Sequence, residues 1–294
     1  EFKLSVSRIE TYLECPRRYF YNYETRLPKL TDYPRLAGIE IHRHIRLLHR
    51  KSKHPQPFYF ETKEKNINAW IFRWQRALKK AKEQKKLQFE DAFLEKRYQR
   101  IGIICVARYW NSNLKLPPPL QVEHYYETPA APWIKLIGYL DQLRGVSLDY
   151  IAKHRPELVK NGELAPGYDP VVIVDLKSGA HDYSLTKRQL ENQNICEQVR
   201  QQFDLHEHLQ ATVLTFLYEK TTGKKPIGFV WYHLRSGKTF FTYREDPDYA
   251  TLYGDIHHSI ENITAESFPK HIGSRCKNCD FLVPCREDSY FILV

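Results

Sequence analysis

The sequence contains no methionine, where ordinary usage would give several, so all of its sulfur lies in six cysteines. Six cysteines in 294 residues are too few for a disulfide scaffold, and reducing conditions would oppose one. No apolar run approaches the ~18 residues that a bilayer-spanning helix requires, which excludes such a span. The segment Glu1 to Tyr12 mixes charged and apolar residues and lacks the apolar core of a secretory signal. Internal repeats and low-complexity segments are missing as well, so nothing points to a repeat array. These absences lead to the expectation of a cytoplasmic protein.

What is present is a chain long enough for one large domain or two small ones, with ample material for a core. Forty-five Lys and Arg residues face 35 Asp and Glu, giving a formal charge of +10 and a pI near 9.2. Such a surface favours polyanionic partners, nucleic acid first and a membrane surface second; solubility alone is the plainer alternative.

Leu4 to Tyr23 reads as a helix with Ser5 or Ser7 as N-cap, Glu10 completing a capping box after Ser7, and Ile9, Tyr12 and Leu13 on the apolar face. Cys15-Pro16 interrupts it. Arg17 to Tyr21 is basic and aromatic, which suits either a nucleic-acid strand or a core flanked by arginines. Leu36 to Arg50 is a predicted helix in which Glu40 and His44 share a face and His42 lies elsewhere. Glu61 to Trp110 is helical and basic, with Trp70 and Trp74 one turn apart. Most of its lysines read as a solvated face, and a share as the lining of a DNA path.

Leu116 to Pro119 closes the helical region. Gln121 to Thr128 and Trp133 to Leu143 then alternate as a pair of strands, and residues 144–169 read as a loop or small insertion. The run Val171-Val172-Ile173-Val174 is a strand buried on both faces, ending in Asp175-Leu176-Lys177. Ser184 to Lys220 reads as two helices, with Leu209, Val213, Phe216 and Leu217 as the later apolar face. Pro226 to His233 and Thr239 to Tyr243 are strands joined through Arg235 to Lys238, and Tyr249 to Ile263 is a helix. Helices between strands, with a strand pair before the central strand, describe an α/β or α+β fold with a mixed sheet.

Two constellations carry chemistry. Asp141 and Asp175 lie 34 residues apart, each near a strand end, so adjacent strands can bring the carboxylates together. Converging carboxylates repel and are best tolerated around a divalent cation such as Mg²⁺ or Mn²⁺. Lys177 points to the same side as Asp175 and can orient a water or offset charge on a phosphate. Two ordinary strand-end aspartates and a surface lysine fit the same spacing. The second constellation is Cys276-x2-Cys279 with Cys285, a chelate spacing in which Cys15 is the best fourth ligand, while Cys105 and Cys196 look like ordinary cysteines. Binding all four would close a loop of about 270 residues. Spacing does not choose between zinc and an iron–sulfur cluster, and frequency alone favours zinc.

Taken in order, His42, Gly138-x2-Asp141, Asp175-x-Lys177, Gln210 and the cysteines Cys15, Cys276, Cys279 and Cys285 resemble the RecB-like branch of the PD-(D/E)XK nucleases. Within it the chain looks most like the cluster-bearing CRISPR-associated RecB-like exonucleases and AddB-type nuclease domains. The opening series Ser5, Ser7, Ile9, Tyr12, Cys15, Pro16 and Tyr19 is similar to that family's start. The resemblance runs from about residue 5 to 286.

It implies a [4Fe–4S] cluster on Cys15, Cys276, Cys279 and Cys285 in place of zinc. It also implies Mn²⁺ or Mg²⁺ on His42, Asp141, Asp175 and the Leu176 carbonyl, with Lys177 handling the nucleophilic water and Gln210 matching the glutamine of the following helix. Asp175 stands where many relatives have Glu. The tyrosine often found four residues after the glutamine is replaced by Leu214, the nearest being Tyr218.

The expected fold is therefore α/β (α+β): a restriction-endonuclease-like core with a mixed β-sheet flanked by helices. The whole of 1–294 forms one domain, with a helical insertion at about 52–116 and cluster-binding elements at about 5–23 and 270–288 joining the termini. The expected function is metal-dependent hydrolysis of DNA, by an exonuclease on single strands or ends, with no membrane partner. Protein partners in a CRISPR or repair complex, and oligomerisation, stay open. A non-catalytic DNA-end-binding or adaptor protein is the second reading, opposed by the complete set of acids and lysine. A zinc-stabilised interaction module is the third, opposed by the +10 charge.

Overall fold

The computed structural model describes residues 2–49, 60–114, 116–180 and 195–288, with the side chains of 195–200 and of Asn278 outside the described set. In chain order its first elements are β1 (Phe2–Ser5), α1 (Val6–Glu14), α2 (Pro16–Tyr19), α3 (Tyr33–Leu48), α4 (Lys63–Glu83) and α5 (Ala92–Asn113). Then come β2 (Gln121–Ala131), β3 (Ile134–Gly145), α6 (Leu148–His154), β4 (Val159–Lys160), β5 (Glu163–Leu164) and β6 (Tyr168–Lys177). The last are α7 (Ile195–His206), α8 (Leu209–Thr222), β7 (Lys225–His233), β8 (Lys238–Thr242), α9 (Asp246–Thr264) and α10 (Leu282–Glu287). The chain divides into two compact units, one of residues 1–30, 127–138 and 245–294 and the other of 31–126 and 139–244.

In the first unit, the helix expected from Leu4 to Tyr23 is a strand followed by two helices and a π-helical turn, Phe20–Glu24. Leu4 is fully buried in β1, which runs parallel to the first half of β3. Ser5 caps α1, its Oγ accepting from Arg8 N at 3.4 Å. Cys15 has extended backbone (φ −165°, ψ 107°) that ends α1, and Pro16 starts α2, where its missing N–H costs nothing. The basic-aromatic stretch supplies core: Tyr19 is fully buried and stacks on Phe268 with ring centroids 6.1 Å apart. Tyr12 donates from its hydroxyl to the Ser267 carbonyl at 2.8 Å.

In the second unit, the aromatics of the basic helical region are also core. Trp70 and Trp74 are buried, and their indole N–H groups donate to the carbonyls of Gln99 and Glu95, both at 3.1 Å. They therefore have no face to offer a base, whereas Lys79, Lys80, Lys85 and Lys86 are exposed as expected. Gly102 makes this packing possible, because a Cβ there would lie 1.9 Å from the Trp70 ring. Ala favours a helix over Gly by about 1 kcal/mol, but that approach exceeds any gain, so close packing decides the residue.

The second unit's sheet is mixed. The later half of β3 pairs antiparallel with β6, from Gly145–Val171 to Gln142–Val174; β6 pairs parallel with β7, and β7 antiparallel with β8. Val171 to Val174 are all buried, as the run of β-branched residues predicts. Alternation along β6 places Val172, Val174 and Leu176 in one core with Ile41, Ile45, Trp70, Val106 and Tyr109 from α3, α4 and α5. Each such side chain contributes about 2 kcal/mol by leaving water.

Alternation also sends Asp175 and Lys177 to the opposite face. On α8, Ala211 to Tyr218 are all buried, so this helix is enclosed where a single apolar face was expected. The expected loop at 144–169 carries structure of its own: α6, and a β4–β5 hairpin whose turn residues Asn161 and Gly162 have φ of 54° and 78°, as a type I′ turn demands. Residues 184–194 of the expected helical region lie outside the described residues. No described helix is long and apolar enough to cross a membrane.

Two histidines make this unit sensitive to acid. Burial pushes His44 and His49 down to about 4, with Arg73 and Arg144 respectively adding repulsion. The His49 ring nitrogen Nε2 bonds the Tyr109 hydroxyl at 2.5 Å. Both rings are neutral when folded and regain a pKa near 6.5 when unfolded, so stability is complete above about pH 6.5 and falls as pH drops toward 4. The loss is on the order of 2 kcal/mol per histidine. Melting temperature followed from pH 7 to 4.5 should therefore fall, and His49→Gln should flatten the fall. An identical pH profile in the variant would contradict this.

Candidate active site

The ladder between β3 and β6 runs only to Gln142–Val174. Beyond it a side chain takes the place of the backbone acceptor: the Leu176 N–H donates to Asp141 Oδ2 at 2.9 Å. The same carboxylate oxygen lies 3.4 Å from His42 Nδ1 on α3. Gly38, one turn before His42, brings α3 close to the end of β6, since a Cβ there would lie 3.3 Å from Ser178 Oγ. The expected trio His42, Asp141 and Asp175-x-Lys177 is thus gathered at one strand end, with Leu176 beside it.

Asp175 is 5% exposed and holds a tight set of partners. Its Oδ1 accepts from Gln210 Nε2 at 2.6 Å, while Gln210 Oε1 accepts from Lys177 Nζ at 2.8 Å. Lys177 Nζ also lies 2.9 Å from Asp175 Oδ2 and 4.7 Å from the centre of the Trp231 ring. Gln210, at the start of α8, therefore ties acid to amine. Spacing alone does not suggest this; only the place of Gln210 in the ordered motif does. Tyr218 is turned elsewhere, donating to Asp169 Oδ2 at 2.9 Å near the other end of β6, and Leu214 is buried.

Burial pushes the Asp175 carboxyl up to about 6; the ammonium of Lys177 opposes the shift and the charge of Asp141 adds to it. Burial acts to lower His42, but the hydrogen bond to Asp141 and the charges of Asp141 and Asp175 outweigh it, leaving the imidazole above its usual value. Negative charge is therefore in excess at this strand end. A divalent cation would relieve it, and oxygen donors with one imidazole suit Mg²⁺ or Mn²⁺. Asp175 Oδ2 is buried with the Lys177 ammonium 2.9 Å away, so a cation bound there would share this oxygen with the lysine. A cavity of about 10 Å³, room for roughly one water, is walled by His42, Arg46, Glu123, Asp141 and Leu176. Arg46 and Glu123 are the site neighbours that sequence reading missed. Arg46 has a faint signal, one turn after His42; Glu123 has none.

The four cysteines Cys15, Cys276, Cys279 and Cys285 line a cavity of about 40 Å³ in the first unit. Cys15 sits between α1 and α2, Cys276 in the 3₁₀ turn Ser274–Asn278, and Cys285 on α10. Burial raises the Cys285 thiol, Cys15 and Cys279 raise it further, and Lys270 opposes them. A set of four thiols around one space fits a tetrathiolate centre. Cys105 is buried elsewhere, its thiol pushed up to about 11, as an inert core cysteine should be. The side chain of Cys196 lies outside the described residues. Among the described residues, neither constellation stands as a ready-made metal cage of three or more His, Cys, Asp or Glu side chains.

Comparison with known proteins bears on the first constellation. The sequence profile of the PD-(D/E)XK nuclease superfamily matches residues 3–151, a stretch that includes His42 and Asp141. No curated protein sequence matches this chain. A crystal structure of a candidate exonuclease from Eubacterium rectale is similar at 11% identity and a TM-score of 0.46, covering 94% of this chain and 86% of that one. The profile spans just over half of the chain, and the mixed sheet flanked by helices is consistent with a restriction-endonuclease-like fold: the chain belongs to the PD-(D/E)XK nuclease superfamily.

Proposed function

We propose that this chain is a metal-dependent DNA exonuclease acting on single strands or DNA ends, with all of 1–294 serving as one nuclease domain. The observation that carries the reading is the Asp175–Gln210–Lys177 triangle set beside Asp141 and His42. The formal charge of +10 supports a polyanionic substrate. His42, Asp141, Asp175 and the Leu176 carbonyl would hold Mg²⁺ or Mn²⁺. When bound, that ion would polarise the phosphodiester and lower the pKa of a water. Lys177 Nζ is held by Gln210, Asp175 and the Trp231 face, so its charge would be fixed beside Asp175 before substrate arrives. Gln210 keeps Asp175 from turning away.

We also propose that Cys15, Cys276, Cys279 and Cys285 hold a structural [4Fe–4S] cluster. The shared cavity supports a tetrathiolate centre, and the resemblance to cluster-bearing nucleases selects iron; the same thiols would hold zinc equally well.

Asp175→Ala and Lys177→Ala should each lower cleavage of labelled single-stranded DNA with Mn²⁺ by about a hundredfold or more while leaving the circular-dichroism spectrum intact. Undiminished Mn²⁺-dependent cleavage in both variants would contradict the assignment. Protein purified without oxygen should be brown and contain iron, and Cys276→Ser should lose both the colour and much solubility. A colourless, stable, zinc-loaded parent would replace the cluster with zinc.

A further inference from the structure

Glu123 and Arg46 are not accounted for by the proposed metal ligands, yet both line the small cavity beside His42, Asp141 and Leu176. Arg46 follows His42 by four residues on α3, so the two side chains lie on one helix face. Glu123 lies within β2, but its φ is 45°, in the left-handed region that a non-glycine residue enters only under constraint. Such strain persists where surrounding contacts over-determine it, and it gathers at functional sites. The contact here is an ion pair and hydrogen bond between Arg46 Nη1 and Glu123 Oε2, joining residues 77 apart in sequence.

The pair is not a buried structural tie: the Arg46 side chain is 47% exposed and that of Glu123 27%. An exposed ion pair of this kind adds little stability, about 0–1 kcal/mol, which does not explain a strained backbone. Its position does. The guanidinium stands beside His42 and Asp141, within reach of any phosphate that comes to that cavity. It is a planar fork matched to phosphate oxygens, whereas a lysine ammonium is a point charge.

Resting on the nuclease reading above, we propose that Arg46 is a phosphate-positioning residue of this site, and that Glu123 is the internal counter-ion which the DNA phosphate replaces. The carboxylate holds the fork extended over the cavity and keeps it from collapsing onto Asp141. Phosphate and Glu123 then compete for the same donors, so the ion pair also sets how tightly DNA is held.

The test uses the full chain with a fluorescent single-stranded oligonucleotide. It measures DNA affinity by anisotropy across a salt series, Mn²⁺ affinity by calorimetry without DNA, and steady-state cleavage. Arg46→Ala should weaken DNA binding about tenfold and reduce the slope of log affinity against log salt by about one phosphate contact. Mn²⁺ affinity should change less than twofold, and Arg46→Lys should restore the slope but only part of the rate. Glu123→Gln should tighten DNA binding a few-fold with Mn²⁺ affinity unchanged. An unchanged salt slope in Arg46→Ala overturns the assignment. So does a loss of Mn²⁺ affinity in Glu123→Gln equal to that of Asp141→Asn, which would make Glu123 a metal ligand. A parent chain that neither binds nor cuts DNA with Mn²⁺ would overturn the nuclease reading instead.

Discussion

The charge on Asp175 is the constraint around which the second unit is arranged. A carboxylate at the end of a strand of buried valines and one isoleucine loses its hydration, which costs several kcal/mol unless donors or counter-charges replace the water. The chain supplies one amide and one ammonium, and it spaces them so that each also fixes the other. Gln210 must come from α8, Lys177 from the same face of β6, and Trp231 from β7 beneath the ammonium. Even so, the carboxyl stays pushed up to about 6, because burial is only partly offset and Asp141 adds negative charge nearby. In the proposed site, a bound cation would offset this remaining negative charge.

The remaining architecture follows from keeping that strand end open. The β3–β6 ladder stops one residue short of Asp141, whose carboxylate then accepts from the backbone of β6 in place of a carbonyl. The apolar face of β6 is covered by α3, α4 and α5, whose close approach depends on the absence of a side chain at Gly102. α3 runs past the strand end and delivers His42 and Arg46 on one face. In the first unit, the break at Cys15 serves two ends: extended backbone lets Pro16 restart the helix, and it sets the thiol beside Cys276, Cys279 and Cys285.

How much of this is legible in the sequence depends on the range of the interaction. The strand Val171 to Lys177 announces itself locally, through β-branched residues and period-two alternation, and so does its pair of candidate side chains, Asp175 and Lys177. His42, Asp141 and Gln210 are legible only as an ordered set, because no local pattern marks any of them. The fate of Trp70 and Trp74 is hidden for a physical reason: their stripe looks alike whether it faces solvent-borne bases or another helix, and the partner, Gly102, lies far along the chain. Leu4 reads as helical because a strand of four residues is too short to show a period, and its pairing partner is Leu136. Glu123 is invisible, since a positive φ in a strand has no signature in residues other than glycine.

The proposed nuclease chemistry would depend on a cation held by His42, Asp141 and Asp175. Crystals of the full chain soaked in Mn²⁺ and measured at the manganese absorption edge would locate it directly. The expected result is one strong anomalous peak about 2.2 Å from carboxylate oxygens of Asp141 and Asp175 and from a His42 ring nitrogen, absent in Asp175→Ala. Saturating Mn²⁺ that leaves this strand end without a peak, in a protein that still cuts DNA, would contradict it.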